Sequence, residues 1–136
     1  MSKKAWCKYA RELCGIPQSE LAAQLNVSVV TVKKWERRTT TAEPPQDCLD
    51  WLARAVEAHD NDVAELVDRV LAAPRGTVAS LPWYPDQETA DADGVGTPYG
   101  YMNAVTRSAA EQLSRLGVPA VISYPDDETA LHAPRG

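Results

Sequence analysis

The chain has 136 residues, 44% of them hydrophobic, which allows one domain or two small ones and places it among globular sequences. Its formal charge is −5 with a pI near 5.0, a balance that taken whole argues against a partner made of phosphates. No apolar run approaches the roughly 20 residues of a bilayer span, and Met1-Ser2-Lys3-Lys4 turns straight to charge without a signal-peptide apolar core, so a cytoplasmic protein with no membrane partner is expected.

The charge is unevenly divided. Residues 1–41 hold eight basic residues (Lys3, Lys4, Lys8, Arg11, Lys33, Lys34, Arg37, Arg38) and three acidic ones (Glu12, Glu20, Glu36), a net of +5 that leaves −10 for residues 42–136. Cys7, Cys14 and Cys48 form an odd set with no Cys-x-x-Cys spacing, which fits small buried hydrophobes better than a disulfide framework or a zinc site. No metal and no cofactor are expected.

Ser2 can cap a first helix over about 3–14, in which Trp6, Cys7, Ala10, Leu13 and Cys14 share one face and Gly15 stands where a left-handed stop belongs. A second helix runs from Gln18 to Leu25 with Leu21, Ala22 and Leu25 inward and Asn26 at its end. Ser28 can cap a third, Val29 to about Arg37, with Val32 and Trp35 facing the core and Lys33, Lys34 and Arg37 outward. After a Thr39-Thr40-Thr41 linker, Pro44-Pro45 opens a long helix to about Ala73. Its seam is Leu49, Leu52, Val56, His59, Val63, Leu66 and Val70, although Asp60-Asn61-Asp62 invites a break. His59 on that seam reads as a core or interface residue.

Thr77 to Tyr84 reads as a strand whose Pro82 suits an edge or a strand end. Pro85 to Pro98 reads as an acidic loop. Met102, Val105, Ala109, Leu113 and Leu116 mark an amphipathic helix closing at Gly117, before a strand from Ala120 to Tyr124 and a polar tail over 125–136. The expected fold is mainly α with a small α+β part. Its domains are a three-helix bundle at 1–41 and a helix-strand-helix-strand unit at 45–124, whose two-stranded sheet is marginal alone and would be completed by a second copy.

The segment Ile16-Pro17-Gln18-Ser19-Glu20-Leu21-Ala22, with Leu25, Val27-Ser28, Thr31-Val32 and Lys34-Trp35-Glu36-Arg37, resembles the helix-turn-helix of the Cro and lambda-repressor class. Read without the family, Ala22 lets two helices approach closely, and basic residues flank the third helix where phosphates would lie. The resemblance implies double-stranded DNA as partner, with base-facing Val29, Val30, Lys33 and Lys34 and a less exposed Thr31. Lysines suit guanine O6 and N7, and valines suit thymine methyls. It further implies phosphate contacts from Gln18, Arg37, Arg38 and Thr40, and an internal salt bridge between Arg11 and Glu36. The class more often has Gln, Arg or Ser where Val29 and Val30 stand.

Trp35-Glu36-x-Arg38, then Pro45-x-Asp47 and the order of elements beyond, is similar to the two-domain regulators associated with anti-CRISPR operons. That resemblance implies a homodimeric autorepressor on an inverted-repeat operator, dimerising through residues 45–124, with RNA binding in some members. An antitoxin-like module whose acidic C-terminal part neutralises a partner protein is the alternative. No catalytic residues are expected: Gly94-Val95-Gly96-Thr97-Pro98-Tyr99-Gly100 misses the dinucleotide fingerprint by one residue, and His59 and His132 have no nucleophile partner in the pattern.

Overall fold

The computed structural model describes residues 2–127. His132 and the tail beyond residue 127 lie outside the described residues. The element order is α1 (Lys3–Leu13), α2 (Gln18–Gln24), α3 (Val29–Glu36), α4 (Gln46–Leu71), β1 (Ala79–Pro82), α5 (Gln87–Ala92), α6 (Tyr99–Arg115) and β2 (Ala120–Ser123). The chain is mostly helical with one small sheet. It divides into two compact units between His59 and Asp60, inside α4 and not at the expected Thr39-Thr40-Thr41 linker. The reason is local: Cys48 and Leu52 in the first turns of α4 are fully buried within the first unit, and Thr40 is bonded to the end of α3.

In the first unit the expected caps are in place. The Ser2 hydroxyl accepts from Ala5 N, and that of Ser28 accepts from Thr31 N. Gly15 and Asn26 both take left-handed backbone, with φ of 64° and 55°, closing α1 and α2 without a steric clash that would follow for a larger or branched residue. α3 packs against both α1 and α2. The buried residues of α1 to α3 include the small Cys7, Ala10, Cys14 and Ala22 beside Ile16, Leu21, Val32 and Trp35, and α4 adds Cys48, Leu52 and His59.

α4 continues unbroken through Asp60-Asn61-Asp62, because the seam residues on either side, His59 and Val63, are both buried and anchor the turn. In the second unit Val63, Val67, Leu81, Val105, Ala109 and Leu113 form one apolar cluster. β1 and β2 pair in parallel, Ala79 opposite Ala120 and Leu81 opposite Ile122. A parallel pair needs a crossover connection, here made by α5 and α6.

Three expectations for the second unit are corrected. The stretch 85–98 is not all loop: Asp86 accepts from Thr89 N at 2.8 Å and from Thr89 Oγ1 at 2.7 Å, and this cap starts α5. Leu116 is 60% exposed instead of inward, because it is the C-cap of α6 and the chain turns away at Gly117, φ 72°. Both strands are shorter than expected, four residues each. Asn103, unremarked in the sequence, is buried and works as a strand surrogate. Its side-chain amide donates to Tyr84 O and accepts from Tyr84 N, both at 2.9 Å. A cavity of about 650 Å³ lies beside this cluster, lined by Leu66, Val70, Leu81, Met102 and Thr106 among others.

Candidate nucleic-acid interface

α3 has two unlike faces. Val32 and Trp35 are buried, which fixes the rotation of the helix and leaves Val30, Lys33 and Lys34 outward. Val30 is 59% exposed, an unusual place for a valine in a monomer, and Val29 is half-buried beside it. Thr31 is half-buried and its Oγ1 lies 2.9 Å from Ser28 Oγ, so its hydroxyl is engaged in the cap. Arg37 and Arg38 follow α3 and are exposed. The structure therefore gathers Val30, Lys33, Lys34, Arg37 and Arg38 on solvent and turns Thr31 partly inward.

The expected Arg11–Glu36 pair is present and is the polar centre of this unit. Arg11 Nε donates to Glu36 Oε2 at 2.8 Å and Arg11 Nη2 to Oε1 at 2.9 Å, a bidentate bridge. Arg11 Nη1 also donates to Ile16 O at 3.0 Å, and Gln18 Nε2 donates to Glu36 Oε1 at 3.1 Å. One buried carboxylate thus ties α1, the α1–α2 turn, α2 and α3 together. Burial alone would push the Glu36 carboxyl up; the hydrogen bonds from Arg11 and Gln18 and the guanidinium charge more than offset it and hold it below the usual range. The Arg11 guanidinium is pushed up in turn, chiefly by its hydrogen bond to Glu36. The Cys7 thiol, which donates to Glu36 Oε2 at 3.8 Å, is pushed well above the ordinary thiol range by its buried neighbour Cys48, by burial and by the Glu36 charge. Such a thiol is chemically quiet.

Gln18 therefore reaches inward with one N–H to Glu36 and keeps its second amide N–H. Thr40 is more committed: its hydroxyl donates to the backbone oxygens of Lys34 and Arg37 and accepts from Lys4 Nζ at 3.0 Å. Lys4 itself counted in the sequence only as one more positive charge. The signal that could have singled it out is the absence of Gly after α3, which leaves the helix end without its commonest stop.

Residues 8–47 match the family model described as Helix-turn-helix. The segment is a helix-turn-helix of the Cro and lambda-repressor type, and the chain carrying it is a DNA-binding transcription regulator. No curated protein matches the chain. Among the described residues no helix is long and apolar enough to cross a membrane, and no group of three or more His, Cys, Asp or Glu can hold a metal ion.

Proposed function

We propose that the chain is a homodimeric repressor that reads an inverted-repeat operator with α3 in the major groove. The observation that carries this reading is the solvent-facing row Val30, Lys33 and Lys34, backed by buried Val32 and Trp35 and followed by Arg37 and Arg38. Val29, Val30, Lys33 and Lys34 face the bases, with Thr31 at the margin, and Gln18, Arg37 and Arg38 take phosphates. Thr40 serves the end of α3 with its hydroxyl and contributes to phosphate binding only through the path of its backbone.

A single helix-turn-helix covers one half-site, and two-fold pairing is how the motif gains affinity. The second unit supports pairing: β2 has one open edge and exposes Val121, Ile122 and Tyr124, with Leu116 also on the surface. A second copy adding its own β2 would satisfy that edge and cover those side chains. Selection of bound fragments from random DNA tests the reading. An enriched inverted repeat bound by two chains is expected; enrichment of no sequence, or a lone half-site bound by a chain that sediments as a monomer at tens of micromolar, overturns it.

A further inference from the structure

α3 ends at Glu36 with no left-handed residue to close it: its C-cap, Arg37, is extended, at φ −76° and ψ 126°, and residues 37–42 contain no glycine. The last carbonyls of a helix need partners, and the helix dipole places partial negative charge on them. Arg37 N serves the carbonyl of Lys33 at 3.0 Å. The next two are served from outside the helix. Lys4 Nζ, reaching from the first turn of α1, donates to Lys34 O at 2.9 Å and lies 3.4 Å from Trp35 O. The same ammonium donates to Thr40 Oγ1 at 3.0 Å and to Ala42 O, while the Thr40 hydroxyl donates back to Lys34 O. Three N–H donors are shared over four oxygens, two on the end of α3 and two on the segment that leaves it.

We infer that Lys4 is the C-terminal cap of α3 and a positioning residue for DNA binding, holding Lys33 and Lys34 in register with the Arg37-Arg38 segment. The inference rests on the reading of α3 as the helix that enters the groove. Its physical content is that a cation placed on the negative end of the helix, and bonded simultaneously to the following segment, fixes the angle between base-reading and phosphate-binding groups. The same bonds take Lys4 out of the pool of lysines available to phosphates. Lys4 precedes the matched helix-turn-helix segment, which starts at residue 8.

The test compares the parent chain with Lys4→Met, which keeps the length of the side chain and removes the charge and donors, and Lys4→Arg, which keeps both. The probes are the duplex that the parent selects from a random library and a mixed-sequence duplex, at a temperature where circular dichroism shows every variant folded. For Lys4→Met we expect about ten-fold weaker binding to the selected duplex, no more than about two-fold on the mixed one, and an unchanged salt slope; Lys4→Arg stays within about three-fold of the parent on both. Equal loss on both duplexes with a slope lower by about one identifies Lys4 as a phosphate contact and overturns the inference. So does full affinity in folded Lys4→Met. A DNA-free measurement separates this from failure of the groove reading: the Lys4 ammonium ¹⁵N resonance should show slow proton exchange in the free chain. Exchange as fast as that of Lys33 overturns the cap even if no duplex is ever selected.

Discussion

The two units are held by different forces. In the first, the mutual orientation of α1, α2 and α3 is fixed by charged ties laid over their apolar contacts: Arg11 to Glu36, Gln18 to the same carboxylate, and Lys4 to the end of α3. In the second, Val63, Val67, Leu81, Val105, Ala109 and Leu113 make an aliphatic cluster; Asn103 with Tyr84 and Thr106 Oγ1 with Pro82 O at 2.8 Å join neutral groups, and the carboxylates Asp93 and Asp62 accept from the hydroxyls of Tyr84 and Tyr101. Apolar burial is strong but non-directional, whereas a bidentate bridge fixes an angle. A unit that must present one helix to a rigid groove gains from the directional kind. The second unit rests on the other kind and leaves apolar side chains of Val121, Ile122 and Tyr124 on its surface.

The largest expected effect comes from breaking the central tie. Arg11→Met leaves the Glu36 carboxylate buried without its cation and should cost about 3–5 kcal/mol of first-unit stability, read by thermal or urea unfolding followed at Trp35. Because the Glu36 carboxyl is held below its unfolded value, the parent's stability from this bridge is present above the ordinary carboxylate range and is lost as pH falls through it toward the lowered folded value. Arg11→Met should flatten that acid limb, and an acid limb as steep as the parent's would show that the bridge does not carry it.

In the second unit Leu81→Ala should cost about 2–5 kcal/mol, with almost no dependence on pH between about 3 and 5, the range in which carboxylates ordinarily titrate. A pH-dependent loss would blur the contrast between the units. Smaller effects concern the interface. Lys34→Ala is expected to weaken binding to the selected duplex by about 1–3 kcal/mol and to relax preference at one base position, while equal losses on selected and random DNA would remove it from base readout. Smallest is Arg38→Ala, which should weaken all sequences alike and lower the salt slope by about one.

Much of this was legible beforehand because the signals are local. Ser2, Ser28, Gly15 and Asn26 mark helix ends through their own backbone and side-chain chemistry, and the spacing of Leu49 to Val70 requires only that one helix bury one stripe. The Arg11–Glu36 bridge came from the resemblance, not from spacing, since the two residues lie far apart in the chain. The α5 cap was present in Asp86-Gln87-Glu88-Thr89 but was outweighed by the acidic, glycine-containing surroundings. Leu116 fitted the stripe by period and failed because the helix had already ended.

The sequence by itself determined the ends of the first three helices, the division into a basic and an acidic end, and the placing of Lys33, Lys34 and Arg37 outward, because each follows from periodicity, capping and charge within a few residues of chain; Val30 was placed outward by the resemblance to the helix-turn-helix class. Only the tertiary structure decided which charges of the basic end stay on solvent and which are tied up inside it. Lys4 and Thr40, separated by more than thirty residues, meet at the end of α3 and bond its carbonyls, whereas Arg37 and Arg38 remain on the surface. Net charge counts these residues alike. Hydrogen-bonding to a distant helix end is a property of the folded chain, and it turns part of the +5 from attraction for phosphate into internal support.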